Sequence, residues 1–158
     1  MSNTRRGSTL VETAILIPLI VLLLVGMVTV ARITYLYYTL RKTVYSVARY
    51  VGTQQGVNFC DSTDATLANA IEFGLTGTTD ASQPVFVNGL TPAMVIITAQ
   101  QFDPVSGSLS DFCASTQAIA PDFIAVAIQG YTIPVRFPGL QIDPIQLNPK
   151  VQVPYGGT

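Results

Sequence analysis

Residues 10–31 read LVETAILIPLIVLLLVGMVTVA, and Glu12 is the only charge among them. A run of this length matches the roughly 20 apolar residues that a helix needs to cross a bilayer. It predicts one membrane span near the N-terminus, with a carboxylate close to its start. A charged side chain at the centre of a span costs about 2.5–3.5 kcal/mol, and less near the interface, so Glu12 needs an account. Thr9-Leu10-Val11-Glu12 fits a capping box, in which Thr9 Oγ accepts from the Glu12 N–H and the Glu12 side chain reaches back to the Thr9 N–H. A carboxylate in the first turn also suits the helix dipole. A cleaved secretory signal is a second reading, with Arg5 and Arg6 at its basic end and Thr29-Val30-Ala31 as a weak cleavage site. Against it, the apolar run is longer than the ~7–15 residues usual in such signals, and it passes directly into more helical sequence.

Beyond the run, Ile33, Leu36, Tyr37, Leu40, Val44, Val47, Ala48 and Val51 recur at helical spacing, with Thr39, Lys42, Ser46 and Arg49 opposite. The expectation is one continuous helix from about Thr9 to Val51, roughly 65 Å long, stopped by Gly52 and loosened or kinked at Pro18. Its first half would lie in lipid, and its second half would carry an amphipathic face into an attached domain. Tyr35, Tyr37 and Tyr38 read as an interfacial aromatic belt.

Charge divides the same way. Residues 1–50 hold six basic residues against Glu12, a net of +5, while residues 51–158 hold Arg136 and Lys150 against eight acidic residues, a net of −6. With no basic patch outside the anchor, nucleic acid is not an expected partner. A positive-inside count, with Arg32, Arg41, Lys42 and Arg49 after the span, favours the C-terminal part inside. That rule weakens for long translocated domains, and a cysteine pair suits an oxidising compartment. We therefore expect the C-terminal part outside the cytoplasm.

Residues 53–158 read as a compact α+β domain. Ser62-Thr63-Asp64 marks a helix start, with the helix running to Phe73 and stopping at Gly74. Val85-Phe86-Val87, Asn88-Gly89 and the apolar run Met94–Ala99 suggest a hairpin with a type I′ turn. Phe123–Tyr131 is the strongest strand, with Ile124, Val126 and Ile128 on one face. A strand near Ile133–Phe137 and the alternating Val151-Gln152-Val153 follow. Pro134, Pro138, Pro144, Pro149 and Pro154 restrict this end to edge strands or extended loops. An antiparallel sheet of these strands would bury one face against the long helix's stripe.

Cys60 and Cys113 are the only cysteines and there is no histidine. Two ligands cannot make a four-coordinate zinc site, and the spacing is too long for a redox Cys-x-x-Cys. A disulfide is favoured over two buried thiols, and it would stabilise the domain by roughly 3–4 kcal/mol. Without histidine the commonest general base is missing, the carboxylates are scattered, and no glycine-rich phosphate loop follows a strand. Neither enzyme chemistry nor a cofactor is expected. Asp61 and Asp64 lack calcium-loop spacing, and helix capping by Ser62, Thr63 or Asp64 explains this stretch better.

The stretch RRGSTLVETAILIPLIVLLLVGMVTVAR (5–32), continuing to VYSVARYVG (44–52), resembles TadE-like proteins, pseudopilins of the tight-adherence branch of type IV pili. Gly7 stands where that resemblance places the residue before prepilin-peptidase cleavage, making Ser8 the mature N-terminus and Glu12 its fifth residue. Ser8 replaces the bulky apolar start of major pilins, and Thr13 stands where an aromatic residue often follows the glutamate. Both departures point away from a filament-forming major pilin. A mature Ser8 amine is costly to bury, and Glu12 of a neighbouring subunit is suited to pair with it and set register, the best attested use of buried ion pairs.

Together these readings give a leader at 1–7, a transmembrane helix at 8–31, its amphipathic extension at 32–52 and an extracytoplasmic α+β domain at 53–158. The resemblance implies a noncatalytic, single-pass protein of the bacterial cytoplasmic membrane. Its implied partners are a prepilin peptidase, other pilin-like subunits, the pilus assembly platform and membrane lipid. The competing expectation is a binding module or adhesin on a permanent anchor.

Overall fold

The computed structural model describes residues 4–80, 82–114, 120–137, 140, 141 and 143–157. One helix, α1 (Thr4–Gly52), occupies the whole N-terminal third and continues across Pro18. At about 1.5 Å per residue its 49 residues extend for roughly 74 Å. It starts earlier than the capping box implied. Thr9 and Glu12 therefore lie inside a regular helix, and Thr9 is not its N-cap residue.

A short helix, α2 (Ala65–Thr76), follows. The strands are β1 (Val95–Asp103), β2 (Ser108–Asp111), β3 (Phe123–Ile128), β4 (Thr132–Ile133), β5 (Arg136–Phe137), β6 (Leu140–Gln141), β7 (Ile145–Gln146) and β8 (Lys150–Pro154). Four of them form an antiparallel sheet in the order β2-β1-β3-β8, while β4 pairs with β7 and β5 with β6. The expected α+β architecture is what the chain adopts.

The core lies between one face of this sheet and the upper part of α1. Val95, Ile97 and Ala99 of β1 stand opposite Ile128, Val126 and Ile124 of β3, and Val126 and Ile124 stand opposite Val151 and Val153 of β8. The period-2 alternation of β3 thus aims three fully buried side chains at the helix. From α1 the stripe of Leu40, Val44, Val47, Ala48 and Val51 is buried to 0% exposure. Thr43 is also buried, whereas Tyr37, read as part of the stripe, stays 39% exposed. β8 is an edge strand and Pro154 ends it, as proline's missing donor requires. Pro138 lies outside the described residues.

Two local expectations fail for identifiable reasons. Gly74 does not stop α2, because the helix runs on to Thr76 and is capped by Gly77 at φ 82°. Gly74 is instead a contact glycine. A Cβ added there would overlap Cγ2 of Val47, so its bareness lets α2 approach α1. The Val85–Ala99 hairpin is also absent. Among the described residues only glycines have positive φ, so Asn88 cannot take its place in a type I′ turn. Residues 85–87 run back past α2, where the Phe86 N–H donates to the Leu75 carbonyl at 2.9 Å, and Pro92 opens a 3-10 turn before β1.

The true hairpin joins β1 to β2. Asp103 accepts from the Val105 N–H at 2.9 Å and from Ser106 Oγ at 2.7 Å, and Gly107 takes φ 66° while its N–H donates to the Asp103 carbonyl. The Asp-Pro-x-x-Gly sequence was the available signal.

Candidate functional site

The lower part of α1 presents apolar side chains with nothing of its own chain against most of them. Ile15 and Met27 are 72% and 73% exposed, and Val11, Leu19, Leu22, Leu23 and Val30 are similarly bare. The helix is long and apolar enough to cross a membrane. Gly7 and Ser8 fall in its first turns, and Glu12 stands one turn further along with its side chain exposed. Ser8 and Glu12 are four residues apart, which puts them on one face of the helix. Because Cα–Cβ bonds tilt toward the helix N-terminus, the Cβ of Glu12 is directed toward the Ser8 end. Chain separation after Gly7 would therefore leave an amine and a carboxylate on one stripe of an otherwise apolar rod.

Above this region α1 meets the domain. An open cleft of about 470 Å³ lies between Tyr35, Tyr38, Lys42 and Ser46 of α1 and Gly74 and Phe86 across from them. Thr39 and Ser46 hydroxyls donate back to the carbonyls of Tyr35 and Lys42, at 2.9 and 3.0 Å, so their donors are already used. Tyr35 and Tyr38 are exposed where the apolar run gives way to charge, a placement suited to headgroups.

The start of the domain is tied down by short polar bonds. Asp64 caps α2, accepting from the backbone N–H of Asn58 at 3.1 Å and of Thr66 at 2.7 Å. These bonds, Asn58 first, hold its carboxyl below the ordinary value of 3.8. Asp61 accepts from the Thr63 hydroxyl and N–H, which lower its carboxyl in the same way. Of the three capping candidates, Asp64 does the work, and among the described residues no group of three or more His, Cys, Asp or Glu is arranged to hold a metal.

Cys60 and Cys113 are joined in a disulfide across 53 residues of chain, with Cα atoms 5.5 Å apart. It ties the segment after α1 to the turn that follows edge strand β2. A loop of this length is worth about 4 kcal/mol on the chain-entropy account.

Sequence reasoning missed a second tie at the end of α1. Gly156 N–H donates to the Gly52 carbonyl at 3.0 Å, and Tyr155 Oη donates to the Gln54 carbonyl at 2.9 Å. The Tyr155 ring also meets Phe59 edge-on, with centroids 5.5 Å apart. Only the aromatic beside two glycines hinted at it.

Residues 7–49 match the family model described as TadE-like protein, the family that the N-terminal stretch resembles. That family is a pilus-associated structural one. No curated protein and no solved structure matches the chain.

Proposed function

We propose that this protein is a noncatalytic minor pilin or pseudopilin-like component of a Tad-type pilus assembly or secretion machine. In this reading residues 1–7 are a leader and 8–31 span the membrane. Residues 32–52 carry the span into a domain, 53–158, held outside the cytoplasm. A prepilin peptidase cuts between Gly7 and Ser8, and Glu12 then pairs with the Ser8 amine of a neighbouring pilin-like subunit as the helices enter the assembly platform.

The observation that carries the reading is the coincidence of the TadE-like match over residues 7–49 with a helix whose apolar lower part is bare. Such a surface requires lipid or other helices around it. The Gly7-to-Glu12 spacing lies at its entrance, where a single ion pair can set the register of one helix against the next.

The test is the mass of the mature N-terminus in cells that hold the peptidase. A chain beginning at Ser8, together with a Gly7→Val chain that stays full length, supports the proposal. A chain beginning at Arg32 would make it a secreted protein. An uncut wild type would leave a permanent anchor carrying a binding domain.

A further inference from the structure

The upper part of α1 carries a second face that the chain does not cover. Arg41, Lys42, Tyr45 and Arg49 are exposed, and their three- and four-residue spacings put them on one side of the helix, opposite the buried stripe. Among the described residues none of these four side chains has a hydrogen bond, an ion pair or a ring contact. No pair along the helix is available to them, because the sequence has no acidic residue between Glu12 and Asp61. Cations around a tyrosine on a rigid helix suit a protein interface, where Tyr and Arg are enriched.

Lipid is out of reach for the upper part of this ridge. By helix rise, Tyr45 lies about 21 Å and Arg49 about 27 Å beyond the end of the apolar run at Ala31. The headgroup layer is only about 5–8 Å deep on each side of the hydrocarbon, and a usual tilt of roughly 20° changes these heights little. The chemistry that matches the ridge is therefore an acidic protein surface.

The chain itself has such a surface. Residues 51–158 carry a net charge of −6, and three exposed carboxylates collect at the end of the sheet farthest from the membrane. Asp111 stands opposite Gln100, the Asp122 N–H donates to the Gln100 carbonyl at 3.0 Å, and the Cys60–Cys113 bond brings Asp61 to the same place. Each accepts its local hydrogen bonds through one carboxylate oxygen and keeps the other. This end is level with the top of α1, because Phe123, opposite Gln100, also faces Pro154 of β8, and the Gly156 N–H reaches the Gly52 carbonyl. Arg49 is about 4.5 Å below Gly52 along the axis. The domain covers the stripe side of α1 and the ridge lies on the other side, so the two sets cannot meet within one chain.

We propose that Arg41, Lys42, Tyr45 and Arg49 dock on the acidic domain of a second copy of this chain, at Asp61, Asp111 and Asp122. Two copies standing in one membrane hold Arg49 and these carboxylates at matching heights. The two surfaces differ, so the contact is head-to-tail and repeats into a row of copies facing one way. Exposed ion pairs are individually weak, so the contact needs several together and is screened by salt. The heights rest on the reading of residues 8–31 as the span.

The test uses the full chain in phosphatidylcholine vesicles, with the photo-cross-linking residue benzoylphenylalanine in place of Tyr45. Irradiation should give a band of doubled mass, cross-linked to the domain of the second copy, and its yield should fall steeply as salt is added. Lys42→Glu with Arg49→Glu should abolish the band. Asp61→Asn, Asp111→Asn and Asp122→Asn together keep the acceptors of the local bonds and should lower the yield severalfold. A mixture should restore it, because the neutralised copy still offers an intact ridge and the reversed copy an intact domain. Failure of the mixture to recover would overturn the proposal, as would a cross-link to α1 of the second copy, a cross-link to lipid, or a yield indifferent to salt. A wild-type chain that floats with the vesicles but forms no band would remove the contact alone. A chain that does not float with them overturns the reading of the span, and this inference fails with it.

Discussion

Residues Val11–Val30 and Leu36–Val51 belong to one unbroken helix, and both are rich in Leu, Ile and Val, yet they solve the burial problem differently. The upper stretch confines its apolar residues to a stripe and covers them with β3, β8 and α2, so Leu40, Val44 and Val47 reach 0% exposure. The lower stretch is apolar all round and its own domain leaves most of it bare. A stripe fits a partner that lies on one side, whereas an all-round surface fits a surrounding medium. The difference teaches that α1 carries two interfaces, one completed within the chain and one that the chain leaves to its surroundings.

That contrast can be broken by substitution. The largest effect is expected at the lower half's single charge. Glu12→Gln should leave insertion and cleavage intact but remove the counter-ion of a neighbour's amine, a loss of about 3–5 kcal/mol where burial is complete. Co-purification of pilin-like partners at equal expression should fall steeply, and undiminished recovery would leave Glu12 without an assembly role.

Next in size, Leu40→Ala should cost the domain about 2–5 kcal/mol, read as a lower unfolding midpoint by tyrosine fluorescence. Leu22→Ala should leave that midpoint unchanged. Equal effects from the two would erase the distinction between the halves.

A smaller loss is expected where α2 meets the upper half. Gly74→Ala gains about 0.5–1 kcal/mol of helix propensity. The overlap with Val47 costs about 1–3 kcal/mol, so the net change should be destabilising. Adding Val47→Ala, which withdraws the overlapped atom, should make Gly74→Ala less harmful than it is alone.

The smallest effect belongs to the cap of α2. Asp64→Ala should lower the midpoint slightly at neutral pH. Because its folded carboxyl titrates below 3.8, the stabilisation is complete above that value and is lost as pH falls through the folded value. Wild type and variant should therefore converge in acid.

The helix, its stripe and β3 were legible in the sequence because each rests on a periodicity carried by many residues. Asp64 and the disulfide were legible because few alternatives exist for those residue types at those positions. The errors fall where one residue has two uses. Gly74 looks like a stop signal, and only the neighbouring Val47 reveals it as a contact point. Asn88-Gly89 looks like a hairpin turn, but the chain on either side is drawn to Leu75 and to the Pro92 turn. Thr9 looks like a cap until the residues before it, from Thr4, join the helix. At the candidate site, Gly7, Ser8 and Glu12 are singled out by the resemblance to TadE-like proteins, whereas the approach of Ile133–Val135 to Thr29 depends on a fold that no local pattern encodes.

The bond from Tyr155 to Gln54 joins residues 101 positions apart, and β8 covers the upper stripe from the same distance. That stripe therefore emerges from the ribosome about a hundred residues before its cover does. Until β8 is made, that stripe has only the cover that α2 and β3 give it.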